Sequence, residues 1–169
     1  MISKIQDAFP HILENNCLTS FSNKHTFVFE DNHLNKGVFV SDKEKYHLHI
    51  QNSTNNYIHF LQNDDCVMKT EIGGQCDYVI FNENQIHFID VKVAKGNFQN
   101  HRKEAYRQIE NTFKFYSQKL NFDIDYNVHG MVCFPTKRRI IQPSKSTKQK
   151  EFKLKYKIDL KEGNYILFD

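Results

Sequence analysis

The chain has 169 residues, a formal net charge of +3, 39% hydrophobic residues and 14% aromatic residues. That length suits one domain with a core of its own, and the aromatic content excludes a disordered chain. Six glycines and three prolines exclude a linker-rich or collagen-like architecture. No apolar run approaches the roughly 18 residues of a membrane span, and Asp7 and Asn15 fall where a signal peptide needs an uninterrupted apolar stretch, so a cytoplasmic location is expected.

Residues 2–16 read as a helix, with Ile5, Phe9, Ile12 and Leu13 at helical spacing and Pro10 placed to delay or kink it. From 25 to 62 the chain alternates in short segments rich in Val, Ile, Tyr and Phe (HTFVFE, KGVFVS, KYHLHI, NYIHFLQ). These read as strands, and the spacers DNHLN and QNSTNN carry turn chemistry. His47 and His49 share one strand face, expected to meet solvent. After Gly73-Gly74 come two further strands, CDYVIFN and QIHFIDVKV. A long helix follows over 98–120, its apolar face made by Ala105, Ile109, Phe113, Tyr116 and Leu120. Residues 127–134 form another strand, stopped by Pro135. Residues 152–160 alternate apolar and polar with period two, which predicts a half-buried strand with Lys153, Lys155 and Lys157 on its open face; NYILFD is the last strand. This order predicts one domain over 1–169, α/β or α+β in class, built around a mixed sheet.

The four cysteines, Cys17, Cys66, Cys76 and Cys133, include no CxxC pair. A thiolate zinc site therefore lacks support, and reduced, mostly buried thiols are expected. Charge is uneven: residues 137–161 hold ten basic and two acidic side chains, against 13 basic and 18 acidic elsewhere. A basic surface that meets a polyanion explains this; lysines protecting an exposed strand edge explain it equally well.

The informative segment is EIGGQCDYVIFNENQIHFIDVKVAKG, residues 71–96. If Glu83-Asn84 is a two-residue turn, antiparallel partners have numbers summing to 167, and Asp77 lies opposite Asp90. Lys92 shares that face. Carboxylates directly opposite one another are destabilising, and a divalent cation between them removes that penalty. Hard oxygen donors suit Mg²⁺ or Mn²⁺. Beside such an ion, Lys92 can orient a water or neutralise charge on a phosphate. Two other acid-x-Lys tripeptides, Glu151-Phe-Lys153 and Asp159-Leu-Lys161, lie in the lysine-rich stretch and lack a partner carboxylate.

GGQCDYVIF followed by HFIDVKVAKG resembles the PD-(D/E)xK nuclease superfamily, the restriction-endonuclease-like fold. The resemblance covers residues 67–134. The family's proline is Cys76 here, and its (D/E)xK motif falls on Asp90, Val91 and Lys92. The resemblance implies a mixed β-sheet flanked by helices, with a metal ion held by Asp77, Asp90 and the Val91 carbonyl. It also implies Lys92 as the catalytic lysine and Gln108, on the following helix, as a further active-site residue. Glu14 and Glu71 compete as the additional carboxylate. The RecB-like subgroup's tyrosine is replaced by Thr112. Lys95, Arg102 and Arg107, with Lys153 and Lys155, are the expected nucleic-acid contacts; His101 and Lys103 lie beside them. The expected activity is that of a Mg²⁺- or Mn²⁺-dependent nuclease, endo or exo, a phosphodiester hydrolase acting on DNA, with RNA not excluded, in phage defence, restriction or repair, with a second copy or a larger assembly as partner. The alternative is a non-catalytic nucleic-acid- or protein-binding module on the same fold.

Overall fold

The computed structural model describes residues 1–169 except 32, 35, 55, 70–72, 94, 95, 121, 123–125 and 136–146. The chain begins with two short helices, α1 (Ile2–Ala8) and α2 (His11–Glu14), broken at Phe9-Pro10 as the proline predicts. Five strands follow: β1 (Leu18–Phe21), β2 (His25–Asp31), β3 (Lys36–Val40), β4 (Leu48–Asn52) and β5 (Ile58–Gln62). The hairpin β6 (Tyr78–Phe81) and β7 (Gln85–Val91) leads through α3 (Phe98–Lys119) to β8 (Asn127–Cys133). Helix α4 (Thr147–Tyr156) and strands β9 (Asp159–Gly163) and β10 (Tyr165–Phe168) complete the chain.

The strands form two mixed sheets where one was expected. Six make the sheet β1-β5-β6-β7-β8-β9, and four make β10-β4-β2-β3. In the larger sheet the pairs from β1 to β7 are antiparallel, whereas β7, β8 and β9 run parallel. The period-two rule explains how both faces are filled. Val79, Phe81, Ile86 and Phe88 point to one side, where Ile5, Phe9, Ala105, Ile109, Tyr116 and Phe152 of the helices cover them. Tyr78, Ile80, Ile89 and Val91 point to the other, against Val28, Leu48, Ile50, Ile166 and Phe168 of the smaller sheet. The layers are therefore helices, large sheet, small sheet. Every residue of β7 is buried because both its faces are covered.

Three expectations are corrected. Residues 147–156 are the helix α4, so the period-two strand reading of 152–160 fails: Leu154, which that reading buries, is 80% exposed. Lys and Gln favour helix here, and the ring pair Phe152 and Tyr156, four residues apart, forms its packed side. Second, Cys17 and Cys66 form a disulfide, leaving Cys76 and Cys133 as buried free thiols. Antiparallel pairing of β1 with β5 sets Cys17 beside the turn after β5, with the two Cα atoms 5.8 Å apart. Third, His47 is buried, with its ring on Phe29 and its Nδ1 accepting the Glu30 N–H at 3.0 Å. His49 instead meets His25, ring nitrogen to ring nitrogen at 3.2 Å. Among the described residues no helix is long and apolar enough to cross a membrane.

Candidate active site

The hairpin has the register that its turn predicts. Tyr78 pairs with Ile89 and Phe81 with Ile86. Asn82 Oδ1 accepts the Asn84 and Gln85 N–H groups, both at 2.9 Å, which closes the turn. Asp77 stands just before β6, and its Oδ2 accepts the Val91 N–H at 2.5 Å. Asp90, next to Val91, is 0% exposed. The side chains of Asp90 and Lys92 turn toward α3. Lys92 Nζ lies 2.9 Å from Asp90 Oδ2 and donates to Gln108 Oε1 at 2.8 Å. Four of the residues picked from the sequence thus meet at one end of the hairpin.

Helix α3 also anchors the segment leading into Asp77. Asn111 Nδ2 donates to the Gly74 carbonyl at 2.7 Å, and Thr112 Oγ1 accepts the Cys76 N–H at 2.9 Å. Thr112, noted only for the missing tyrosine, thereby fixes the residue preceding Asp77. Gly73 and Gly74 have φ of +104° and +77°, a region that side chains disfavour. Cβ atoms there would meet Asn111 and Gln108 at 3.2 Å. The two glycines are what allow this loop to lie on α3.

The electrostatics follow from burial. Desolvation, opposed by the Val91 N–H and by Lys92, pushes the Asp77 carboxyl up to about 6. Burial first and Asp77 second drive Asp90 well above the carboxylate range. Burial alone would lower Lys92, but Asp90 and then Asp77 hold its ammonium above the ordinary value. Asp90 Oδ1 is buried with no hydrogen-bond partner. An oxygen in that condition calls for a cation or a proton.

A second acidic region adjoins Asp77. Glu30 of β2, Lys36 of β3 and Asp64, Asp77 and Tyr78 line a cleft of about 300 Å³. Burial, then Asp77, Asp64 and Asp31, push the Glu30 carboxyl up to about 7. Glu30 and Asp64 were not picked from the sequence. Asp64-Asp65, adjacent acids directly after an apolar strand, carried a weak signal; Glu30 carried none, because only the small sheet brings it here.

The other candidates are dispersed. Glu14 is exposed at the end of α2. Glu71 and Lys95 lie outside the described residues, as does 137–146 of the basic stretch. Arg102 Nε is held by Glu162 at 2.7 Å, a carboxylate that also accepts from Tyr106 at 2.8 Å, and its guanidinium lies over Phe134. Arg107 is exposed on α3, and Lys153 and Lys155 are exposed on α4, the latter 4.0 Å from Glu110. Among the described residues no three His, Cys, Asp or Glu side chains close on one point to hold a metal ion. No family model, curated protein or solved structure matches the chain.

Proposed function

We propose that the chain is a metal-dependent nuclease that hydrolyses phosphodiester bonds, with DNA as its substrate. The observation that carries this reading is the joining of Lys92 to both Asp90 and Gln108 at the hairpin end, with Asp77 bound to the intervening Val91 peptide. A structural ion pair at a strand end does not need the second buried carboxylate or leave Asp90 Oδ1 unsatisfied. The order of a two-carboxylate hairpin, a crossover helix and a parallel strand also supports a restriction-endonuclease-like core, to which the small sheet is an addition.

The donors fit a hard divalent cation. Asp77 and Asp90 offer only oxygen, and the orphaned Asp90 oxygen is the kind of atom a cation satisfies. Bound to Asp77, Asp90 and the Val91 carbonyl, Mg²⁺ or Mn²⁺ would polarise a phosphoryl oxygen and lower the pKa of water. The rest falls to the chain. Lys92 has three N–H donors. Contacts to Asp90 and Gln108 fix the direction of two, and the third is left to orient a water or a phosphate oxygen. Its positive charge offsets the negative charge that grows on the phosphate during in-line attack. Gln108 holds the ammonium in place, and α3 keeps Gln108 and the Asp77 loop in one frame.

The test is cleavage of plasmid DNA, single-stranded DNA and RNA in Mg²⁺, Mn²⁺ or EDTA, with Asp90→Ala beside the wild type. Metal-dependent cleavage that Asp90→Ala abolishes supports the nuclease and names its substrate. Tight nucleic-acid binding that survives Asp90→Ala, without cleavage by the wild type, supports the non-catalytic binding module instead.

A further inference from the structure

The turn after β5 supports the backbone of Asp77. The Asn63 and Asp64 N–H groups donate to the Asp77 carbonyl at 2.9 and 3.3 Å. Asn63 Nδ2 donates to the Cys76 carbonyl at 2.7 Å, and Asn63 Oδ1 accepts from the Tyr116 hydroxyl at 2.9 Å. Gln75 Nε2 donates to Asp64 Oδ1. Residues 75–77 therefore take their position from this turn as well as from α3, and Asp77 so placed accepts the Val91 N–H.

The two halves of the turn are held differently. The near half continues β5, and β1 secures it, since the Gln62 N–H donates to the Cys17 carbonyl at 2.9 Å. The far half closes on Asn63: the Val67 and Met68 N–H groups donate to its carbonyl at 3.1 and 3.0 Å, and both side chains are buried. Between the halves Asp65 has φ of +57°, a left-handed conformation that a residue with a Cβ disfavours. The turn is therefore not kept closed by local preference. The Cys17–Cys66 bridge fastens the far half to the residue before β1, which carries the near half.

We propose that the Cys17–Cys66 bridge is a redox switch on the hairpin site, with the turn 63–68 as the element that closes or opens. Oxidised, the bridge clamps the turn and the turn clamps residues 75–77. Reduced, the turn opens locally, and Asp77 loses its fixed position opposite Val91. Cys17 is 1% exposed and Cys66 partly exposed, so a thiolate from solvent attacks Cys66 Sγ and Cys17 Sγ leaves. A dithiol completes the exchange: its two sulfurs join in a disulfide, the Cys17–Cys66 bond breaks, and two electrons and two protons pass to the two cysteines. Cys76 and Cys133, each 0% exposed, take no part. The effect on cleavage rests on the nuclease reading; the effect on the Asp77 segment does not.

The test is amide hydrogen exchange of the full chain, oxidised and after reduction with dithiothreitol, which is then removed under argon. Strand β8 serves as the internal reference, because a loss of global stability reaches it too. Exchange in 63–68 and 73–79 should rise at least about tenfold more than in β8 on reduction, and reoxidation should restore it. The same samples are assayed for Mn²⁺ affinity and DNA cleavage, both expected to fall about tenfold or more when reduced. A Cys17→Ser/Cys66→Ser double variant should match the reduced wild type and ignore the reductant; a response in that variant would move the effect to Cys76 or Cys133 and overturn the switch. Exchange in 63–79 that rises no more than in β8, beside metal-dependent cleavage equal in both states, overturns the switch and leaves the nuclease standing. Exchange that rises there in a protein that cleaves nothing leaves the coupling of the bridge to Asp77 standing and overturns the nuclease.

Discussion

Reducing the Cys17–Cys66 bridge is the perturbation whose size follows most directly from the fold. The bridge closes a loop with a sequence separation of 49. Restricting the unfolded chain to a loop of that length removes about 14 cal/mol/K of entropy, or about 4 kcal/mol of stability at 25 °C. Unfolding entropy near 2.1 cal/mol/K per residue over 169 residues turns this into a fall in Tm of about 10 °C. The assay is thermal unfolding with and without a dithiol reductant, beside a thiol titration in denaturant. Two titratable thiols, Cys76 and Cys133, and a melting point that drops by about this amount in reductant are expected. Four thiols in protein purified without reductant, or two thiols with superimposable melting curves, would refute the reasoning. The result also bears on location, since structural disulfides persist in oxidising compartments.

Three other outcomes are expected. Gly130→Ala sets a Cβ 2.8 Å from Leu160 and 3.0 Å from Ile109; the overpacking should destabilise by about 1–3 kcal/mol in urea unfolding, and a neutral result would mean the β8–α3 contact is looser than described. Burial and then Lys161, opposed by Asp159, push His129 down to about 4. The unfolded chain therefore takes up its proton first, and this contribution, whole above about pH 6.5, is lost as pH falls toward 4. Wild type should lose about 2–3 kcal/mol relative to His129→Gln between pH 7 and 4.5; a difference constant with pH would show that His129 is not held neutral. If Lys153 and Lys155 on α4 touch phosphates, replacing both with Gln should reduce the slope of log K against log salt by about 2. An unchanged slope assigns them to solubility.

The sequence made the hairpin legible because its turn, its length and its alternation all set the same register, and Asp77, Asp90 and Lys92 followed from that register. Gln108 was reachable only through the resemblance, which implies a Gln on the helix after β7; helical spacing alone does not single it out. Residues 152–160 misled because lysines interleaved with Leu and Tyr mimic a strand, and only packing reveals that Phe152 and Tyr156 share one helical face. The division into two sheets was hidden, since each strand of 25–62 fits either sheet by pattern alone. Glu30 and the Cys17–Cys66 bridge depend on contacts between distant segments, which local periodicity does not encode. Arg102, expected at a phosphate, is paired with Glu162, 60 residues later, a contact that no local pattern encodes.

The most direct measurement is the single-turnover cleavage rate of wild type, Asp90→Ala and Lys92→Met on one DNA substrate in Mg²⁺, with binding measured separately in EDTA. The account predicts metal-dependent cleavage by wild type, none by Asp90→Ala, and a rate about 10²–10³-fold lower for Lys92→Met with binding retained. Equal cleavage by all three proteins, or cleavage that persists in EDTA, would contradict it.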